Sequence, residues 1–419
     1  MSEAALGGGT ATAAVELPAH RDGNVLRWLA AYTSSMVGDS VYYIALSWAA
    51  VQAGTPAQAG LVMTASAVPR ALLMLGGGVV ADRLGPRRVV IGSDTVRCAA
   101  VLAVAALLIV TSPGLWPLTL LALVFGTVDA VFMPAVGALP ARVTGRGQLA
   151  RVQGMRGLAI RFSTVVGGPL GGLGVAVGGA AAAFGIAGLL IAVSVPLLVS
   201  VRIRELPPDD TAGSRGGTAW ADLVSGLGHV RRHRVLAPLM LAIALGDLGF
   251  VGPLNVGLTL LSDERGWGAA GMGWVLAGFG VGAGAASLLL TVRGRLPHAG
   301  QVAGWSILAG SVAVGALAYA PTVVAAVGTA LLIGALTGLS GAMCAALLQT
   351  QADPAYLGRV TAVASLVSLG LTPLSMPLTA AAIGAWGTGP VFVVSAVLCG
   401  LGGVVALCVP ALRHAELPG

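Results

Sequence analysis

The chain has 419 residues, 56% hydrophobic and only 9% charged, with 23 arginines, no lysine, 16 acidic residues and a formal net charge of +7. A soluble domain carries about 25% charged residues, so this balance excludes one, and the glycines follow no collagen-like period. Few aromatics beside abundant glycine and alanine let helices approach closely in lipid, so the class is a multi-spanning membrane protein, whose positive charge is read by its position and not as a nucleic-acid footprint.

Residues 1–24 read as a short polar Gly/Ala-rich tail, too weakly apolar for a signal-peptide core. A helix needs about 20 apolar residues to cross about 30 Å of hydrocarbon. Twelve runs qualify, at 26–51, 58–80, 89–111, 116–138, 152–177, 181–201, 235–261, 269–292, 300–320, 322–348, 359–384 and 389–410. They divide into one six-helix bundle over 25–201 and a second over 235–411, with a short tail at 412–419. A polar linker at 202–234, with Pro207, Pro208, Asp209 and Asp210, joins the bundles, and its end at 218–234 has the pattern of an amphipathic helix lying on the inner leaflet. With both termini cytoplasmic, every loop arginine except Arg265 falls on the cytoplasmic side, while Arg70, Arg97, Arg156 and Arg161 lie within helices or at their ends. An offset of 208 residues pairs Asp39 with Asp247, Arg87 with Arg295 and Pro169 with Pro377, as expected of two parallel halves.

Between the second and third runs stands Gly78-Val79-Val80-Ala81-Asp82-Arg83-Leu84-Gly85-Pro86-Arg87-Arg88. Gly78 lets a helix end approach its neighbour, Asp82 suits a helix N-terminus or an arginine, Gly85 permits a tight turn, and Arg87 and Arg88 hold the loop inside. The stretch resembles the signature loop of the major facilitator superfamily, Gly-x-x-x-Asp-Arg-x-Gly-x-Arg-Arg, at every defined position. Val37-Gly38-Asp39-Ser40, Ser93-Asp94-Thr95-Val96-Arg97 and Phe132-Met133-Pro134-Ala135 extend the resemblance toward the bacterial drug, macrolide and siderophore exporters. It implies an all-α fold of twelve transmembrane helices in two pseudo-symmetric six-helix bundles around a central cavity, working by alternating access. It also implies that Asp82, Asp94 and Arg97 form a cytoplasmic charge cluster that gates one state. Gly168-Pro169-Leu170-Gly171-Gly172 resembles the helix-bending glycine and proline motif of the antiporters, one residue short of the usual Gly-Pro-x-x-Gly-Gly. Many proton-coupled drug exporters carry an arginine in the fourth helix, where this chain has Asp129.

An ionised side chain in mid-bilayer costs on the order of 3 kcal/mol or more, so such residues usually face a cavity and work there. The candidates for proton coupling or the substrate cavity are Asp39, Asp247 and Asp129, with Arg70 and Arg161 as counter-charges. Asp39 comes first, because it lies about a third of the way in from the cytoplasmic end and matches the family's acidic position in the first helix. A carboxylate in a partly dry cavity takes up a proton more readily, and an approaching cation displaces that proton, which is the simplest form of antiport. The bland alternatives stay open: Asp39 or Asp247 pairs permanently with an arginine or caps a broken helix, and Arg70, after Pro69, bonds a backbone carbonyl. Trp48, Tyr42, Tyr43, Phe132, Phe250 and Trp274 are candidate cavity linings, and Trp28, Trp116 and Trp267 candidate interface anchors.

Enzyme-like signals fail. Gly278, Gly280, Gly282 and Gly284 lie in an apolar run with no strand before them, no phosphate loop or nucleophile elbow occurs, and the four cysteines read as buried thiols without metal-ligand spacing. The expected activity is export of a small hydrophobic or cationic compound, a drug or secondary metabolite, by proton antiport across a bacterial inner membrane, in the manner of multidrug efflux and antibiotic resistance. No cofactor or metal is expected, the energy being the proton-motive force, and the partners are the substrate and the bilayer, with a monomeric protein. The alternatives are an importer or facilitator of a small polar solute, or a non-transporting receptor or scaffold on the same fold.

Overall fold

The computed structural model describes residues 21–111, 114–144, 148–203, 219–293, 298–353 and 356–416. Most of the expected N-terminal tail, and the linker prolines with Asp209 and Asp210, lie outside these residues. The first half consists of α1 (Gly23–Ala53), α2 (Pro56–Leu84), α3 (Pro86–Val110), α4 (Trp116–Val143) and α5 (Leu149–Ser200). A helix at the end of the linker, α6 (Ala219–Arg232), leads to the second half. There α7 (Leu236–Gly252) continues through a π turn (Pro253–Gly257) into α8 (Leu258–Glu264), followed by α9 (Gly268–Arg293), α10 (Ala299–Leu317), α11 (Val323–Gln351), α12 (Leu357–Trp386), α13 (Thr388–Cys408) and the single turn α14 (Pro410–Arg413).

Among the described residues eight helical stretches are long and apolar enough to cross a membrane. One of them, α5, has 52 residues and folds back at Gly178 and Gly179, so it crosses twice. Gly179 has φ +69, a left-handed backbone that a Cβ would strain, and this is how a continuous Gly/Ala run contains a hairpin. Helices α1, α2 and α12, with 31, 29 and 30 residues, complete twelve crossings. Among the described residues there is no strand. Proline bends rather than ends these helices, with Pro69 inside α2, Pro134 and Pro140 inside α4, and Pro169 and Pro196 inside α5.

The two halves meet on the membrane face away from the chain ends. There Val41 and Met63 of the first half join Leu260, Ala269, Met376 and Ala380 of the second in one apolar core. The Gln52 amide at the end of α1 also donates to Asp263 of α8 at 2.7 Å. Toward the face that carries the chain ends the cores separate. Trp28, Val89, Phe132 and Leu198 pack within the first half, and Leu236, Met343, Val360 and Leu412 within the second. The molecule is therefore closed on one side and divided on the other.

On the divided side each half is braced within itself. Asn24 exchanges two 2.7 Å hydrogen bonds with the backbone of Arg202, tying the start of α1 to the end of α5. Helix α6, at the amphipathic stretch expected on the leaflet, packs on the second half. A Cβ on Gly226 would stand 3.0 Å from the carbonyl of Arg359 in α12, Val230 is buried, and the His229 ring stacks on Tyr356 with centroids 4.4 Å apart. His233 then accepts hydrogen bonds from the Val235 and Leu236 N–H groups at 3.2 Å each and so caps α7. Burial and neighbouring His229 lower the proton affinity of His233, which keeps its ring neutral and able to accept.

Some expectations are corrected by packing. Trp28 is 1% exposed and stacked on Tyr32, since it faces the seam of α1 with its own bundle and not the lipid interface. Cys408 is exposed and Cys98 half-buried, so only Cys344 and Cys399 are buried thiols. Trp274 is 51% exposed, whereas Tyr42 and Phe132 are buried inside the first half.

Candidate functional site: a buried charge cluster and a cavity between the halves

The charged residues of the first half converge in mid-membrane. Asp39 is the 17th residue of the 31 in α1, at its midpoint and deeper than the third of the way expected from sequence. Helix α3 starts at Pro86, directly after the turn that Gly85 makes with φ +84. At 1.5 Å per residue, Asp94 and Arg97 are then about 12 and 16 Å into the helix. Asp94 and Arg97 are therefore set inside the bundle and not at the cytoplasmic end, where the resemblance places them with Asp82. Their three-residue spacing puts both on one face of α3, and that face looks into the bundle.

Arg97 is the centre of the cluster. Its Nη1 donates to both Asp39 carboxylate oxygens, at 2.8 and 3.1 Å, and to Asp129 of α4 at 3.4 Å. Its Nη2 donates to Asp94 and, at 3.2 Å, to Ser35. The guanidinium lies over the Phe132 ring with its central carbon 4.0 Å from the centroid. Asp94 also accepts from the hydroxyls of Ser35 and, in the second arm of α5, Ser194. Arg70 of α2 reaches Asp129 at 3.9 Å, so its partner is this carboxylate and not a carbonyl at the Pro69 bend. Arg97 is wholly buried, and the cluster joins α1, α2, α3, α4 and α5. Three carboxylates face two guanidiniums. With every group ionised the cluster carries one surplus negative charge, which in a low-dielectric interior calls for a proton or another cation.

The loop itself performs a different task. The Arg87 guanidinium donates to the carbonyls of Leu198 and Val199 and caps the end of α5, while Arg83 and Arg88 are exposed. Gly78 and Asp82 continue the backbone of α2, and the side chain of Asp82 lies outside the described set.

The second half presents a cavity of about 550 Å³. Asp247, Phe250, Phe279 and Thr337 line it from α7, α9 and α11, and Arg161 lines it from the first half. Asp247 also borders a second space of about 470 Å³ with Gln349 and Ser365. The Ser368 hydroxyl donates to Asp247 at 2.5 Å, and among the described residues no guanidinium lies within 4 Å of it. Asp39 and Asp247 share the first-helix position of their halves but not their surroundings. A smaller space of about 190 Å³ between the halves takes Ser40, Tyr43 and Asn255.

The glycines of the helix-bending motif form the closed interface. A Cβ on Gly168 would stand 2.7 Å from the Gly273 carbonyl of α9, and one on Gly172 would stand 2.4 Å from that of Ala269. Gly171 instead faces Ile44 of α1 within its own half, and Pro169 lies beside Gly273. Among the described residues no group of three or more His, Cys, Asp or Glu side chains is placed to hold a metal.

The Major Facilitator Superfamily sequence profile matches residues 28–370. The chain belongs to the major facilitator superfamily. It is a multi-pass membrane transporter and not an enzyme, and the small molecules that such transporters carry bind within the membrane. A relative is the enterobactin exporter EntS of Shigella boydii, 26% identical over 308 residues, which cover 72% of this chain and 71% of the relative. The enterobactin exporter EntS of Escherichia coli matches with the same identity and the same shares of both chains. Solved structures of this fold include a nucleoside transporter, NupG, with a TM-score of 0.72 at 13% identity, covering 92% of this chain and 100% of that one. A bacterial homologue of the lysosomal transporter Spinster superposes with a TM-score of 0.69 at 14% identity, covering 94% of this chain and 98% of that one.

Sequence reasoning named Asp39, Asp129, Arg70 and Arg97, and the fold brings them together. It missed Ser35 and Ser194, because single serines in Ala/Gly-rich helices carry no distinguishing pattern. It also missed Phe132 as the ring beneath Arg97, although its three-residue spacing from Asp129 puts both on one face of α4.

Proposed function

We propose that the protein is a proton-coupled exporter of a small, largely apolar compound in a bacterial inner membrane, with both termini cytoplasmic and the monomer as the working unit. The observation that carries this reading is the surplus carboxylate of the Asp39, Asp94, Asp129, Arg70 and Arg97 cluster. A proton on Asp39 neutralises it, and Arg97 is free to shift toward Asp94 and Asp129 when that proton is present. Protonation thus changes the balance of ion pairs between α1 and its neighbours, the kind of two-state element that alternating access requires. With the termini inside, the divided face opens to the cytoplasm and the cavity lies ready to load from that side. The similarity to enterobactin exporters supports the outward direction, and a lining that is mostly apolar but holds Asp247 favours a hydrophobic or cationic cargo over a sugar-like one.

The experiment is proton flux in proteoliposomes under an imposed pH gradient, with lipophilic cations and antibiotics as the compound panel. Asp39→Asn is expected to reduce compound-dependent proton flux by about 100-fold while leaving the fold intact, since asparagine keeps the hydrogen bond to Arg97 and removes the exchangeable proton. Flux retained in Asp39→Asn moves the coupling to Asp129 or Asp247. Compound movement without protons in the unaltered protein replaces antiport by facilitation.

A further inference from the structure

We propose that the 550 Å³ cavity selects an amphoteric aromatic ligand, holding its acidic group on Arg161 and its basic group on Asp247; this rests on the cavity being the substrate site. Arg161 is near the middle of the first arm of α5, about 18 Å along it, and Asp247 is about 16 Å along α7, so the two stand at similar depth on opposite halves. Among the described residues Arg161 has no carboxylate within 4 Å and no hydrogen bond. A guanidinium at that depth, unlike Arg97 with three carboxylates around it, has its donors turned to the cavity and its contents.

The other polar groups sharpen the division. The hydroxyls of Ser311, Thr337 and Ser340 donate to carbonyls of their own helices, at 2.8, 2.8 and 3.1 Å, so toward the cavity they offer acceptor oxygens. Arg161 is then the donor-rich pole, fitted to a carboxylate, phenolate or phosphate, and Asp247 the acceptor pole, fitted to an amine or iminium. Phe250 is three residues from Asp247 on α7, and its ring lies 5.9 Å from that of Phe279 of α9, a pair that takes an aromatic body. A ligand bound at both poles bridges the two halves, so its binding favours their mutual approach.

Rhodamine 19 and its ethyl ester, rhodamine 6G, test this directly, because they share one cationic ring system and differ in a free carboxylate. Binding to the full chain in nanodiscs is read by fluorescence anisotropy at neutral pH, with protein-free nanodiscs subtracted. The free acid is expected to bind about tenfold more tightly than the ester. Arg161→Gln equalises the two dyes, Arg161→Lys keeps part of the preference, and Asp247→Asn weakens both. Equal affinities in the unaltered protein, binding of neither dye, or a preference that survives in Arg161→Gln overturns the proposal. If Arg161→Gln does not fold, the two dyes on the unaltered protein still decide. No proton gradient is present, so a failure of proton coupling is seen separately: flux fails while the dye preference holds.

Discussion

Arg97→Met is expected to destabilise the protein by about 3–5 kcal/mol, the cost of leaving buried charges without their partner. The substitution keeps much of the volume over Phe132 and removes the donors to Asp39, Asp94 and Asp129. Urea or thermal unfolding in detergent measures it. The deficit has a sign that a packing defect lacks: as pH falls the stranded carboxylates bind protons and lose their charge, so the gap to the unaltered protein narrows toward acid. Adding Asp94→Asn to Arg97→Met removes one of those charges and is expected to recover part of the loss. A loss below about 1 kcal/mol that stays level with pH would show that the cluster holds no net ion-pair stabilisation.

Gly172→Val is expected to leave both halves folded and to cut transport by roughly tenfold or more. Its Cβ would meet the backbone of Ala269 and Ala270 across the interface between the halves, at 2.4 and 2.9 Å, where no rotamer change relieves it. Overpacking of this kind costs about 1–3 kcal/mol, enough to move a two-state population by about tenfold or more. The cost falls only on the arrangement closed away from the chain ends, so the population shifts to the opposite one. Spin labels at Gln52 and Asp263, whose side chains touch at 2.7 Å, report the change in a chain with its four native cysteines replaced by alanine. Gly172→Val is expected to lengthen the short distance between them, and Gly179→Ala, which strains the α5 hairpin instead, is expected to lower stability without that lengthening. An unchanged label distance in Gly172→Val with reduced transport would refute the interface account.

The fold was largely legible because crossing a bilayer imposes length and because loop arginines mark one side. Even the α5 hairpin was foreshadowed, since the break between runs ending at 177 and starting at 181 brackets Gly178 and Gly179. The site was legible as a set of residues and not as a set of pairs. Asp39 needed a counter-charge, and the sequence offered Arg70 and Arg161, whereas the actual partner, Arg97, read as part of a surface loop signature. Depth alone would have shown it, since a run beginning at 89 already puts Arg97 about 12 Å inside; the family signature it was read with drew it toward the loop instead. Pairing across four helices depends on their rotation and tilt, which hydrophobic periodicity in helices apolar on nearly every side does not encode. The same limit separated Arg161 from its real setting, a cavity formed mostly by the other half.

The two halves have one architecture and unequal interiors, ion pairs locked across the first and a sparsely charged chamber in the second. On the reading given above, coupling and recognition are inherited on separate parts of one chain. Substitutions in α7, α9 and α11 can then change what is carried while the machinery that draws on the gradient stays as it is. A lineage of such proteins can diversify in cargo by drift in one half alone, and laboratory evolution aimed at a new cargo has a defined territory: the lining of the second half together with Arg161, with the ion-paired helices left untouched.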